Sequence, residues 1–158
     1  MRRDINLQEL SKDHHHVLLF GWKLRKGLTN NTSREVLIDY IKYFVEKVLQ
    51  PHCLVEENEV LSWLPNDNEL KIRALVEHEI LEKMVTCLDS GTEGVDEKIL
   101  QIAEFVDSHV RFEERALFPY VETVLNTRQL GEIGECIKSS HNHVIDNYSH
   151  EFWKNNSH

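Results

Sequence analysis

Apolar side chains recur along most of the chain with the spacing of an α-helix. One stripe begins after Asn6 and continues to about residue 28, and a second runs from about residue 32 to Trp63. A third follows the turn that begins at Pro65, and a fourth leads up to Tyr120. Because positions i, i+3, i+4 and i+7 share one face of a helix, this pattern predicts four long amphipathic helices joined by short turns.

The predicted helix starts come from a capping-box spacing, in which a polar cap residue precedes Glu or Gln by three positions. The pairs with this spacing are Asn6 and Glu9, Thr32 and Glu35, Asn66 and Glu69, and Asn126 and Gln129. Pro51 falls inside the second helix, where its missing N–H predicts a kink or bulge. Pro119 lies near the end of the fourth helix and predicts a break or bend there.

The predicted fold is all-α. Four long helices with short connections are expected to pack as an up-down-up-down four-helix bundle over about residues 7–125. A fifth, more polar helix at about residues 127–153 is expected to lie against the outside of the bundle. The 158 residues, with only six glycines and three prolines, are consistent with one helical domain over residues 1–158 that buries a sizeable core.

Charge and cysteine content narrow the function classes. The net charge of -9 argues against a nucleic-acid partner, and no apolar run approaches the length of a membrane span. The N-terminal residues carry positive charge without an apolar stretch behind them, so no secretory signal is expected. Three cysteines without a CxxC spacing are typical of reduced thiols. We therefore expect a cytoplasmic protein, and the sequence indicates no particular protein partner.

The unusual count is that of histidine, with ten in the chain. Helical phase selects some of them as inward-facing: His14 lies on the apolar stripe of the first helix, whereas counting from His15 gives a mixed face. On the second and fourth helices a histidine and a glutamate four residues later share one face, one turn apart. The inward polar positions are His14, His52, Glu56, His78, His109 and Glu113.

These positions form a repeated pattern, a lone histidine followed by His-x-x-x-Glu. In an antiparallel bundle they can coincide in one layer of four imidazoles and two carboxylates. Such groups would cost several kcal/mol each if buried unpaired, and a pair of metal ions satisfies them. Imidazole and carboxylate ligands suit iron, manganese or zinc. Two histidines per metal, with both glutamates available to bridge, leave open positions for solvent or a small ligand.

This arrangement resembles the hemerythrin-like HHE cation-binding family over about residues 7–120. The resemblance is carried by Asp13-His14, His52-x-x-x-Glu56-Glu57, Glu77-His78 and His109-x-x-x-Glu113-Glu114 with Leu117-Phe118-Pro119 after it. It implies a non-heme di-iron site whose two iron ions are bridged by two carboxylates and an oxo or hydroxo group. It also implies that oxygen, nitric oxide or a peroxide reaches the open coordination position.

The chain departs from the oxygen-carrying hemerythrins at two places. Those proteins have a His-x-x-x-His pair on the third helix, where this chain has Ala74 and Glu82 on either side of His78. They also use an aspartate five residues after the fourth-helix histidine, whereas Glu113 follows His109 by four. The match is closer to family branches with four histidines and two glutamates, which include iron and oxygen sensors. Dimetal binding is therefore expected more than reversible oxygen carriage.

Other polar residues near these motifs have less defined expectations. Glu82 stands four residues after His78 and is left open as an extra ligand, an acceptor for an imidazole N–H or a charge at the bundle edge. Glu57 and Glu114 are expected to be solvated or to contact ligands from outside. Cys53 is turned off the inner stripe, so a thiolate ligand is not expected. Surface positions are predicted for His15, His16, His141, His143, His150 and His158.

The leading hypothesis is a hemerythrin-like di-iron protein that binds or senses oxygen, nitric oxide or iron. The four inward histidines would supply nitrogen ligands, and Glu56 and Glu113 the bridges. Two alternatives stay open: a dimetal enzyme that turns over peroxide or repairs iron centres, and a helical interaction module with a structural metal such as zinc. Catalysis is not the expected role, because nitrogen-rich ligation leaves less negative charge on the metals and favours binding over strongly oxidising chemistry.

Overall fold

The computed structural model describes residues 2–89, 91, 93–142 and 144–154, and all regular structure in these residues is helical. This confirms the all-α class. The described residues form five helices, which we number in chain order. The first is α1 at Gln8–Thr29, the third is α3 at Glu69–Thr86, and the fifth is α5 at Thr127–Ser140. None of the helices, within these described residues, is both long and apolar enough to cross a membrane.

The second and fourth helices are long and change their winding along the way. Helix α2 covers residues 34–63 and consists of an α-helix at Arg34–Phe44, a π-helical turn at Val45–Leu49, an α-helix at Gln50–Val55, a π-helical turn at Glu56–Val60 and a 3₁₀ turn at Leu61–Trp63. Helix α4 covers residues 95–124 and consists of Val95–Phe112, a π-helical turn at Glu113–Leu117, and Phe118–Val124.

The bulge predicted at Pro51 is confirmed, because the π-helical turn Val45–Leu49 ends just before it. Proline has no N–H to donate and its ring crowds the carbonyl four residues earlier, and a wider turn relieves both problems. Pro119 is accommodated in the same way, after Glu113–Leu117, so α4 continues through it instead of breaking.

Three of the four predicted capping boxes are wrong, and the box of Asn126 with Gln129 is confirmed. Helix α1 has no side-chain cap, because the Asn6 side chain donates to Asp4 instead. The caps of α2 and α3 lie further along the chain than predicted, at Ser33 and Asn68. Both adopt the extended ψ values, 139° and 125°, with which a cap side chain can reach back to an N–H of the first turn.

The buried apolar side chains form two clusters, one on each side of the layer that holds the inward histidines. One cluster contains Phe20, Phe44 and Val106, and the other contains Leu10, Val60 and Leu117. Helix α5 adds Leu130, Ile133 and Ile137 to the second cluster, which places it against the outside of the other helices as predicted. The polar layer therefore lies inside the molecule, between two apolar cores.

The predicted fifth helix is wrong beyond Ser140. At His141 the backbone turns to an extended conformation with ψ 129°, and the described residues from there to Lys154, which we call the C-terminal segment, are non-helical. Asp146 of this segment accepts hydrogen bonds from Lys23 and Tyr40, and Phe152 packs into the first apolar cluster. These contacts with α1 and α2 hold the segment in a non-helical conformation. The helical spacing of its apolar residues gives no sign of such long-range contacts.

Candidate metal centre

The six inward polar residues predicted from the sequence lie together in the interior. His14 comes from α1, His52 and Glu56 from α2, His78 from α3, and His109 and Glu113 from α4. Both glutamates are completely buried, and the four imidazoles are 3–7% exposed at the side chain. Each is brought inward because it falls on the apolar stripe of its helix.

The imidazoles form two pairs. The ring centroids of His14 and His52 are 5.0 Å apart, and those of His78 and His109 are also 5.0 Å apart. Potential ligand atoms converge within 4.8 Å of one another in two groups: His14, His52, Glu56 and Glu113 in one, and His78, His109 and Glu113 in the other. Each group can hold a metal ion, and Glu113 belongs to both.

Glu113 lies between the two imidazole pairs. Its Oε1 is 3.0 Å from Nε2 of His14 and 3.2 Å from Nε2 of His109, and its Oε2 is 3.8 Å from Nε2 of His78. Glu56 lies against Nε2 of His52, and its Oε1 is 3.9 Å from Nε2 of His14. Glu113 thus contacts imidazoles of both pairs, a position from which a carboxylate can bridge two ions, whereas Glu56 belongs only to the group with His14 and His52.

Several buried polar atoms at this centre have no hydrogen-bond partner. They are Nε2 of His52, His78 and His109, both carboxylate oxygens of Glu56, and Oε2 of Glu113. Leaving such atoms unpaired is costly, and native proteins rarely do so without a water, ion or function to account for it. All of them face the convergence point. The donor set, imidazole nitrogen and carboxylate oxygen, therefore fits metal ions.

The opposite nitrogen of each imidazole is held by a carboxylate from a neighbouring helix. The contacts, at 2.7–2.8 Å, are His14 Nδ1 with Glu114, His52 Nδ1 with Asp13, His78 Nδ1 with Glu57, and His109 Nδ1 with Glu77. An ionised carboxylate only accepts hydrogen bonds, so Nδ1 carries the proton. This leaves Nε2 directed inward, the arrangement that metal-binding histidines commonly have.

These outer contacts follow a two-fold pattern. The carboxylate before each lone histidine, Asp13 or Glu77, holds the histidine of the His-x-x-x-Glu pair that follows it along the chain. The carboxylate after each inward glutamate, Glu57 or Glu114, holds the lone histidine of the other His/His-x-x-x-Glu set: Glu57 of α2 holds His78, and Glu114 of α4 holds His14. The ring of contacts passes through α1, α4, α3 and α2 and closes on α1. The metal-directed atoms are thereby oriented by all four helices.

In the metal-free protein, the imidazoles and carboxylates of the centre shift one another's pKa values. Burial alone would lower the pKa of His109, but the charge and close approach of Glu113 and the hydrogen bond to Glu77 outweigh it and raise that pKa to about 9. The pKa of Glu113 lies well below its usual value: burial opposes this, and the charge of His109 and hydrogen bonds within the centre outweigh the burial. Binding of a metal ion by His109 must therefore displace a proton.

A groove between α2 and α3 leads to one side of the centre. Its volume is about 420 Å³, and its lining includes Cys53, Glu57, His78 and Glu82. The Cys53 thiol contacts His78, but burial raises its pKa to about 11, so it is a neutral thiol at physiological pH. Glu82 is exposed, which agrees with a charge at the edge of the helices and leaves it outside both ligand groups. The groove therefore borders His78 on the side where Glu57 holds it, whereas Nε2 of His78 is buried.

Comparison with known proteins identifies no relative: no family model matches the chain, and neither the curated proteins nor the solved structures give a match. The resemblance to hemerythrin-like proteins therefore stays a prediction from the sequence. What the structure supplies independently of any relative is a buried His/Glu cluster that can hold metal ions.

Sequence reasoning missed one residue near the centre altogether. His141 was predicted to lie on the surface, but its side chain is 7% exposed and its Nε2 is 2.6 Å from Asp13 Oδ2. No helical period could place it there, because it follows the last residue of α5. His15 and His150 are exposed as predicted, and His16 is half-buried. The predictions for His143 and His158 lie outside the described residues.

The four carboxylates that hold the imidazoles from outside follow a pattern in the sequence. The apolar stripes alone did not identify this pattern. Asp13 and Glu77 each precede a lone inward histidine, and Glu57 and Glu114 each follow an inward glutamate. The expectation for Glu57 and Glu114 left open solvent exposure or contact with a ligand, and the structure shows the contact. An acidic residue repeated beside each ligand position would have identified all four.

Proposed function

We propose that this protein is a hemerythrin-like, non-heme di-iron-binding protein that binds or senses a small ligand, namely oxygen, nitric oxide or the iron status of the cell. His14 and His52 would hold one ion, and His78 and His109 the other. Glu56 and Glu113 would bridge the two. Iron in such a site supplies coordination positions for small ligands and an accessible change of oxidation state.

One observation carries this proposal: the unpartnered Nε2 and carboxylate oxygen atoms all face one buried point, while every Nδ1 is held from outside. Buried polar groups that were only structural would be expected to satisfy one another. Here the outer halves are satisfied, and among the inner atoms only His14 Nε2 and Glu113 Oε1 pair with each other. Two groups of ligand atoms that share Glu113 favour two ions over one.

We further propose that α1 to α4 form an up-down-up-down bundle. Contacts between α1 and α4 support opposite directions, because His14 meets Glu113 whereas Arg25, further along α1, meets Asp107, earlier on α4. Between α3 and α4, Arg73 lies over the Phe112 ring and Glu77 contacts His109, which again supports opposite directions. This arrangement is the one in which ligands from four helices reach one level.

Access from outside favours a ligand-binding role over a purely structural metal. The groove between α2 and α3 borders His78 and Glu57, and we propose that small molecules approach the His78/His109 side from it. The three cysteines are unpaired, as expected in a reducing compartment, and we propose that the protein is cytoplasmic.

The decisive experiment combines metal analysis with optical spectra of protein purified in air and then reduced. We expect two irons per chain and charge-transfer bands of a bridged di-iron unit that disappear on reduction. His109→Ala and Glu56→Ala should each reduce the iron content and alter the bands, whereas His15→Ala, an exposed neighbour of the centre, should change neither.

Fewer than one iron per chain, with a spectrum unaffected by His109→Ala and Glu56→Ala, would contradict the proposal. Steady turnover of peroxide by the iron-loaded protein would favour the enzymatic alternative. A second measurement, the spectral response to oxygen or nitric oxide after anaerobic reduction, separates ligand binding from a metal that is only structural.

A further inference from the structure

His141 is connected to the metal centre through Asp13. Asp13 is buried, and its Oδ2 lies 2.8 Å from Nδ1 of His52 and 2.6 Å from Nε2 of His141. The carboxylate therefore accepts hydrogen bonds from two imidazoles, one inside the centre and one outside it. The orientation of the His52 ring depends on Asp13, and the position of Asp13 depends in turn on His141.

This contact breaks the two-fold pattern of the centre. The counterpart of Asp13 is Glu77, which holds His109 and whose second oxygen accepts from Arg73 at 2.8 Å. Arg73 lies on the same helix as Glu77, and its side chain is 53% exposed. Asp13, by contrast, is held by a nearly buried residue from outside the four helices. The two metal positions therefore have unequal support.

The place of His141 is fixed from both directions along the chain. Its backbone N–H donates to Ile137 O at 2.8 Å, which ties it to the end of α5. Beyond it, Asp146 is anchored by Lys23 at 3.0 Å and by Tyr40 at 2.6 Å. The C-terminal segment thus runs from the metal centre to the first apolar cluster, which contains Phe20. His141 is the residue by which the segment contacts the centre.

We propose that His141 is a positioning residue for the His14/His52 metal position: by holding Asp13 it fixes the His52 ring, and it makes the two metal positions inequivalent. The proposal rests on the dimetal site proposed above. It predicts that loss of the His141 side chain weakens one metal position and spares the other.

The test is a zinc titration of metal-free protein in competition with a chromophoric chelator, repeated with cobalt(II) to record its absorption bands. His141→Ala should weaken one of the two binding steps by about 10-fold or more, the usual effect of losing an outer contact, and shift the cobalt bands of that step. His141→Gln keeps an amide N–H that can donate to Asp13 and should restore most of the affinity. His15→Ala is the matched control on an exposed histidine and should behave as the wild type.

Two backgrounds identify the position affected. In His109→Ala, which leaves the His14/His52 position intact, His141→Ala should weaken the remaining site by the same factor. In His52→Ala it should have no further effect, because the contact it supports is already gone. Circular dichroism of each variant checks that the helices are retained.

The possible outcomes separate this inference from the proposed function. Wild-type protein that binds no metal overturns both. Wild-type protein that binds two ions, with His141→Ala changing neither step or both steps equally, overturns the role of His141 alone. Failure of His141→Gln to restore the affinity would also count against hydrogen bonding to Asp13 as the cause.

Discussion

Each imidazole of the centre is held at Nδ1 by a carboxylate, and that carboxylate is the chain neighbour of another ligand. Asp13 adjoins His14 but contacts His52, and Glu114 adjoins Glu113 but contacts His14. A shift of one helix along its axis would therefore misplace a ligand of one position and the outer contact of another. This interlocking makes the geometry of the centre depend on the packing of all four helices.

The outer contacts can be tested one at a time, and Glu57 is the most accessible because its side chain is 32% exposed at the groove. Glu57→Ala removes the acceptor for Nδ1 of His78 and should weaken metal binding by about 10- to 100-fold. Chelator competition measures the change. Glu82→Ala is the matched control, because Glu82 lines the same groove but is not one of the four carboxylates that hold the imidazoles. Equal losses in both variants would contradict a specific role for Glu57.

The pKa of His109 gives a prediction for the metal-free protein. Because that pKa is raised from 6.5 to about 9 by Glu113 and Glu77 against the effect of burial, protonated His109 stabilises the fold below about pH 6.5. This stabilisation, on the order of 3 kcal/mol at most, should be lost as the pH rises through about 9. Metal binding requires neutral imidazoles, so the metal-loaded protein should not lose stability over the same range.

Urea unfolding at several pH values between about 6 and 10, with and without metal, measures both curves. His109→Gln should reduce the loss of stability of the metal-free protein around pH 9, because it removes the group whose pKa is about 9. A free energy of unfolding that increases with pH in the metal-free wild type would contradict the assignment.

At the scale of helices, both inward glutamates begin a π-helical turn, Glu56 at Glu56–Val60 and Glu113 at Glu113–Leu117. Such turns widen the helix locally and are frequent at functional sites. The turn at Glu113 has a sequence signal, since Pro119 follows it. The turn at Glu56 is not followed by a proline within its helix. The local sequence therefore does not predict this turn, which is seen only in the folded structure.

Close packing between elements gives a second prediction, at Gly27 of α1. A Cβ at this position would overlap the Leu37 side chain and come within 2.9 Å of the Phe152 ring. Gly27→Ala should therefore lower the free energy of unfolding by about 1–3 kcal/mol through overpacking, despite its better helix propensity.

Gly131 provides the matched control because it lies in α5, where an added Cβ would have no other atom within 4 Å. Gly131→Ala should raise the free energy of unfolding by about 0.5–1 kcal/mol. Denaturant unfolding of both variants tests the pair. A stabilised Gly27→Ala would show that α1, α2 and the C-terminal segment are less tightly packed than described.

At the scale of the whole molecule, the sequence was most informative where the apolar stripe of a single helix determined which side chains face the interior. The position of each residue relative to the apolar stripe of its helix selected His14 over His15. It also correctly predicted that every residue of the two ligand groups faces the interior. The same reasoning gave a wrong prediction for the C-terminal segment. Val144 and Tyr148 have helical spacing there, but the segment is held in place by contacts of Asp146 and Phe152. Long-range contacts of this kind have no local period, and so neither the end of α5 nor the approach of His141 could be predicted.

Removal of the metal should leave the helical fold in place. The centre lies between two apolar clusters, each with contributions from several helices, so the helices have cores on both sides that do not depend on metal. We expect the metal-free protein to keep its helical circular dichroism and to melt cooperatively at a lower temperature. Added metal should raise the melting temperature with concentration, as binding to the folded state requires. Complete unfolding on metal removal, with no spectral response to oxygen when iron is restored, would instead favour a structural metal, because the fold would then depend on the ion.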